Sequence, residues 1–141
     1  MLETSADLKG KRILLVEDEL FLGMDIKENL ERSGAIVFGP ILDRSSASQI
    51  AKFHDIDGAI LDLNVGGGDV SPVAAYLQKH SIACLFYTGD ANRASEIGLG
   101  EIGPICRKPM RPELLVQHLA EQIKAAETPA SKNGKPKIIA E

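Results

Sequence analysis

Four sets of polar residues stand out because each follows a short apolar run. Glu17, Asp18 and Glu19 come after RILLV, and Asp62 closes GAIL. Thr88 comes after IACLFY, and Lys108 comes after PICR. Each alone has an ordinary reading. An acidic run before a helix offsets its dipole, an aspartate beside asparagine and glycines makes a turn, a threonine caps, and a lysine sits in solvent. Together they suggest a reaction. Three carboxylates gathered within a few ångströms repel one another, and two unit charges 4 Å apart cost about 4 kcal/mol at an effective dielectric near 20. A divalent cation relieves that repulsion. Carboxylates, a backbone carbonyl and waters suit a small hard ion, which makes Mg²⁺ the natural choice. A zinc site is not expected, because the chain has no Cys/His cluster. A carboxylate can also attack phosphorus and form an aspartyl phosphate. The oxygens of the incoming phosphoryl group then need partners, which a metal ion, an ammonium and a hydroxyl supply.

These residues meet only if the elements carrying them bring their ends together. Residues 12–17 read as a first strand. Leu22, Ile26 and Leu30 follow at a spacing of four, a helix face, with Gly34 as its stop. Residues 35–39 read as a second strand. Asp43 to Ser46 offers an N-cap for a helix that places Ala47, Ile50, Ala51 and His54 on one face. Residues 58–63 form a third strand, Val73, Ala74 and Leu77 mark a third helix, and residues 82–87 form a fourth strand. From Ala91 to Gly103 the pattern is a weak helix interrupted by glycines. Residues 104–107 make a short fifth strand. Pro112 opens the last helix, whose face is Leu115, Leu119 and Ile123. Strands that are apolar throughout, alternating with amphipathic helices, predict an α/β fold with a parallel sheet covered on both faces. In such sheets ligands bind at the carboxyl ends of the strands, where all four polar sets fall.

Composition narrows the function classes. The 141 residues suit one domain, and a domain of that size buries roughly 70% of its unfolded surface without needing a staple. With 16 basic and 20 acidic residues and a net charge of −4, the chain lacks the basic excess of a nucleic-acid binder. No apolar run reaches the ~18–20 residues of a membrane span, and MLETSADLKGKR has no signal-peptide core. The two cysteines, Cys84 and Cys106, lie in apolar stretches and read as reduced and buried in a cytoplasmic protein. Residues 1–10 read as an N-terminal extension, 11–126 as the domain, and 127–141 as a flexible tail.

The pieces ILLVEDE, ILDLN, FYTGD and CRKPM, in this order, resemble the signature of a response-regulator receiver domain over residues 11–126. The resemblance implies a flavodoxin-like, doubly wound (βα)5 fold with a five-stranded parallel sheet in the order 2-1-3-4-5. It implies that Asp62 accepts a phosphoryl group from a phosphohistidine on a sensor histidine kinase or a histidine phosphotransfer protein. Glu17 and Asp18 would hold Mg²⁺ together with Asp62 and the backbone carbonyl of Asn64. Thr88 would bond a phosphoryl oxygen, and Lys108 would pair with it. The Lys108–Pro109 bond would be cis. Such a module is not a turnover enzyme, since its chemistry is confined to gain and loss of phosphate at Asp62. With no effector attached, its output is contact with another protein or onward phosphorelay, not nucleic acid or membrane.

The departures bear on mechanism. Many receivers place Tyr or Phe three residues before the lysine as a rotamer switch, and here that position is Ile105. LFYTGD and ILDLNVGGG resemble a stand-alone alphaproteobacterial subgroup named for a Phe-Ala-Thr-Gly-Tyr motif, although Tyr87, Asp90 and Met110 differ from it. In the absence of the aromatic switch, the signal is expected to travel through residues 91–97, whose neighbouring glycines make a low-stability element. Gly66, Gly67 and Gly68 give the loop after Asp62 room beside the phosphoryl group, or form a flexible turn. Tyr87 faces a partner or packs. Asp90 tunes the aspartyl phosphate or caps a helix. His54, His80 and His118 have surface or capping roles. Two alternatives remain: a receiver-like docking module that ignores phosphorylation, and a haloacid-dehalogenase-type phosphohydrolase. The latter wants a second acid two residues after the nucleophile, where this chain has Asn64.

Overall fold

A computed structural model describes residues 6–127 and 138–141. The elements run β1 (Arg12–Val16), α1 (Leu20–Arg32), β2 (Ile36–Ile41), α2 (Arg44–Phe53), β3 (Gly58–Leu61), β4 (Asn64–Val65), β5 (Gly68–Asp69), α3 (Ser71–Lys79), β6 (Ala83–Thr88), α4 (Ala91–Glu96), a 3₁₀ turn (Leu99–Glu101), β7 (Ile105–Arg107), α5 (Pro112–Ala126) and β8 (Ile138–Ile139). The main sheet has the order β2-β1-β3-β6-β7-β8, and each pairing in it is parallel. The α/β class and the expected 2-1-3-4-5 succession hold, with one correction: the sheet has a sixth strand at the β7 edge.

Strand alternation sorts the apolar residues into two layers. On one face Leu14, Val16, Leu61 and Phe86 pack with Ala47 and Ala51 of α2, Val73 and Leu77 of α3, and Ala91 and Ala94 of α4. On the other, Ile13, Leu15, Ile60, Leu85 and Cys106 pack with Ile26 and Leu30 of α1 and with Leu115, Leu119 and Ile123 of α5. These side chains are almost fully buried, and each buried Val, Leu, Ile or Phe among them contributes roughly 1.5–3 kcal/mol. The burial holds the strand ends in fixed register, and the ends carry the polar sets.

Local signals explain most boundaries. Asp43 caps α2, its carboxylate accepting from the Ser46 amide at 2.8 Å. After α1 the chain reverses at Gly34, with φ +94°. Other features depart from expectation. Strand β2 runs on past residue 39 through a cis Gly39–Pro40 bond, and the β1–β2 register shifts there. A Cβ at Gly39 would lie 2.3 Å from the Leu15 carbonyl oxygen, so only glycine permits this approach. The weak helix divides at Gly98, φ +91°, into α4 and the 3₁₀ turn. His54 leaves the α2 face, ends the helix, and lies exposed against Phe38 with ring centroids 4.9 Å apart.

Both ends of the chain also differ from the reading as extensions. Leu8 is buried in the α1/α5 layer, and its amide bonds the Ser33 carbonyl at 2.9 Å. Ile138 and Ile139 form β8 where a flexible tail was expected. Residues 128–137 of that expected tail, and 1–5 of the expected extension, lie outside the described residues. None of the described helices is long and apolar enough to cross a membrane.

Candidate functional site

The carboxyl ends of β1, β3, β6 and β7 meet at one edge of the sheet. Glu17 follows β1, and its amide bonds the Ile41 carbonyl at 2.9 Å. Asp62 follows β3, and its amide bonds the Val16 carbonyl at 2.9 Å. The two carboxylates are therefore locked to adjacent strands, both buried, with 1% and 6% exposure. Asp18 lies at the surface. One ligand atom from each of Glu17, Asp18 and Asp62 falls within 4.8 Å of the others. This donor set, all hard oxygen, fits a small divalent cation.

Lys108, just past β7, reaches across this edge. Its ammonium donates to Asp62 Oδ2 at 2.9 Å and to Glu19 Oε2 at 2.9 Å, and it lies 3.1 and 3.2 Å from the two Glu17 oxygens. Asp62 Oδ1 accepts from the Leu63 amide at 2.7 Å. Burial works against the Lys108 charge, but the bonds to Asp62 and Glu19 and the surrounding negative charge outweigh it and raise its pKa. Glu17 is pushed up to about 7, first by burial and then by the negative charge of Asp62, against the pull of the Glu19 amide and Lys108. One ammonium thus faces more carboxylate charge than it can neutralise.

Thr88 ends β6 with 1% exposure. Its carbonyl accepts the Lys108 amide at 2.9 Å, which ties hydroxyl and ammonium to one corner. Its hydroxyl oxygen accepts the Asp90 amide at 3.1 Å and keeps its own proton to donate. The site residues read from the sequence thus gather, with Asn64 the looser member. It pairs with Asp69 at the start of β4, two residues past Asp62.

The glycines after Asp62 form a small hairpin, not a flexible turn. Gly67 and Gly68 have φ +94° and +132°, and Gly68 opens β5, which pairs with β4. The Gly66 carbonyl accepts the Arg44 amide at 2.9 Å, and Arg44 Nη1 donates to the Asp69 carbonyl at 3.0 Å. The start of α2 therefore holds this loop.

Two residues noted in the sequence take on roles that it did not assign. Glu19 shares Lys108 with Asp62. Tyr87 packs and does not face a partner: it is 2% exposed, its hydroxyl donates to the Met110 carbonyl at 3.1 Å, and it accepts the Met110 amide at 2.8 Å. Its ring lies 5.6 Å from the Lys108 ammonium. A tyrosine in a buried strand needs a partner for its hydroxyl, and that was the available signal. The Lys108–Pro109 bond is cis. Cys84 and Cys106 are free and buried, and burial raises both thiols, Cys106 to about 12. Ile105 is 1% exposed and packs in the α2/α3/α4 layer.

Comparison with known proteins places this geometry. No protein-family model matches the chain. The transcriptional regulatory protein PdtaR of Mycobacterium tuberculosis is 30% identical over 73 residues, 52% of this chain. The match spans 36% of that protein's length. The non-phosphorylated HemR receiver domain of Leptospira biflexa superposes with TM-score 0.67 at 29% identity, covering 80% of this chain and 94% of that one. A CheY-like receiver domain protein of Methanospirillum hungatei gives TM-score 0.73 at 19% identity, over 86% of this chain and all of that one. The signal receiver domain of a LuxO repressor protein of Vibrio parahaemolyticus gives 0.73 at 20%, over 89% and 98%. These relatives do not distinguish the stand-alone alphaproteobacterial subgroup from other receivers. Its topology, the acidic edge and these likenesses give the chain the receiver-domain fold of two-component response regulators.

Proposed function

We propose that Asp62 accepts a phosphoryl group from a phosphohistidine on a sensor histidine kinase or histidine phosphotransfer protein, with Mg²⁺ required. An Asp62 oxygen forms the new P–O bond as the P–N bond breaks, and the histidine nitrogen takes up a proton. The observation that carries this reading is the Lys108 ammonium 2.9 Å from Asp62 beside the Glu17/Asp18 pair. Lys108 keeps its charge beside the phosphoryl group and pairs with an oxygen of it, and the Thr88 hydroxyl donates to another. Mg²⁺, held by Glu17, Asp18, Asp62 and the Asn64 carbonyl, would offset the added negative charge. Residues 11–126 form the receiver in this reading, and the stand-alone subgroup belongs to the same proposal. The reduced, buried thiols support a cytoplasmic setting. The module then signals by protein contact or passes phosphate onward.

Incubation with acetyl phosphate and Mg²⁺, followed by intact-mass measurement, tests the assignment. One added phosphoryl group is expected on the native chain, and none on Asp62→Asn or in the presence of a chelator. Labelling of Asp62→Asn would refute it. A second reading, docking without phosphorylation, is favoured by Ile105, which lies buried where many receivers carry the switching aromatic. Under that reading Asp62→Asn keeps full biological function.

A further inference from the structure

The β7 edge is where the sheet departs from expectation, and its chemistry is specific. The Pro104 carbonyl and the Lys108 amide bond β6, accepting from Phe86 and donating to the Thr88 carbonyl. Backbone groups alternate sides along a strand, so Ile105 and Arg107 present theirs to the opposite edge. An open edge of this kind accepts an added strand. In this molecule Ile138 and Ile139 fill it, in register with Ile105 and Cys106. Ile138 packs on the α2/α3/α4 layer and Ile139 on the α1/α5 layer, so one neighbouring pair seals both faces of the sheet. Glu141 completes the contact. Its carboxylate accepts the Arg111 amide at 2.6 Å and pairs with the Arg111 guanidinium, at the start of α5.

We propose that the β7 edge is a docking groove for an extended peptide segment carrying two adjacent branched aliphatic residues and, two positions later, a carboxylate. Residues 138–141 occupy it in cis as a displaceable competitor. Three observations carry this. The groove reads backbone, both sheet faces and one charge, which defines an occupant by chemistry. The occupant is short: β8 has two residues, and both isoleucines remain half-buried. Its charge clamp is open to solvent on the Arg111 side, where the side chain is 71% exposed against 28% for Glu141, and ion pairs in reach of water hold weakly. Tethering gives the cis segment an effective concentration on the order of millimolar. A partner segment of the same pattern, with a longer strand or better burial, displaces it.

The test uses the full chain labelled with ¹⁵N. In Ile138→Lys/Ile139→Lys, the Ile105 and Arg107 amides are expected to exchange about tenfold faster or more, with β1, β3 and β6 unchanged. Adding the peptide acetyl-Lys-Ile-Ile-Ala-Glu to that variant restores their protection at roughly millimolar concentration. The same peptide with lysines for both isoleucines does not. Arg111→Gln weakens rescue several-fold. Unchanged exchange at Ile105 and Arg107 in the variant would remove the cis occupant. Failure of the native-pattern peptide to act would remove the groove. Dependence of the native spectrum on protein concentration would instead assign the strand to a second copy of the chain, against the proposal. None of these readings involves phosphorylation, so failure here leaves the Asp62 assignment untouched.

Discussion

The strand-end corner around Asp62 and the flank formed by α4, β7 and β8 are built on opposite principles. At the corner, Glu17, Asp62 and Lys108 are each held by more than one contact. Glu17 and Asp62 are locked through their backbones to neighbouring strands, and Lys108 is bound by three carboxylates and backed by Tyr87. The flank is made of short pieces: α4 ends at a left-handed glycine, and β8 pairs through two residues. The corner stores electrostatic tension in a rigid frame. The flank offers parts that can change place at little cost. Chemistry needs the former, and a change of contact surface needs the latter.

The largest break in this contrast comes from Lys108→Ala. It leaves the buried Glu17 and Asp62 facing each other without a counter-charge, and removal of one partner from a buried charge pair costs about 3 kcal/mol. Urea unfolding above neutral pH should show the loss, and added Mg²⁺ should restore part of it. Asp62→Asn is expected to act in the other direction, since it removes one of the competing carboxylates and raises stability by about 1 kcal/mol while abolishing phosphoryl acceptance.

Tyr87→Phe tests the link between the two regions. It deprives the buried Met110 amide of its partner and should cost about 1–2 kcal/mol by the same unfolding assay.

Acidity offers a further test. The folded-state pKa of Glu17 is raised to about 7, above its ordinary value of 4.5, so the folded chain binds the proton more tightly than the unfolded one. Metal-free stability should therefore fall as pH rises from about 4.5 to about 7 and then level off. Mg²⁺ affinity should rise over the same interval, because proton and cation compete for one carboxylate. Melts with chelator and titrations with Mg²⁺, both at about pH 5 and about pH 8, check the two signs. The smallest effect belongs to the flank. Gly98→Ala meets no neighbour within 4 Å but must hold φ +91°, a strain of about 1 kcal/mol.

The same contrast explains what the sequence disclosed. The core strands and helices were legible because Leu14 to Val16, Ile60 and Leu61 are apolar throughout, and because Ile26, Leu30, Leu115 and Leu119 recur at helical spacing. Most of the corner was legible because Glu17, Asp62, Thr88 and Lys108 each end or follow such a strand. The sequence was silent where function depends on partners far along the chain. Two isoleucines amid prolines, lysines and glycine have no periodicity to announce a strand. Nothing local to Glu19 marks it as a partner of a lysine 89 positions away. The β2 bulge depends on the Leu15 carbonyl meeting Gly39, a contact between strands and not a pattern within one. Ile105 departs from the receiver pattern in sequence, but its burial beside α4 is a property of the fold.

In the proposed function the corner takes a phosphoryl group and the flank responds. The most direct measurement is a ¹H–¹⁵N spectrum with Mg²⁺, before and after beryllofluoride, on the native chain and Asp62→Asn. Shifts are expected at Asp62, Thr88 and Lys108 that extend into residues 91–97 and vanish in the variant. Shifts confined to the corner would sever the two regions, and an unchanged native spectrum would contradict the phosphoryl-acceptor reading itself.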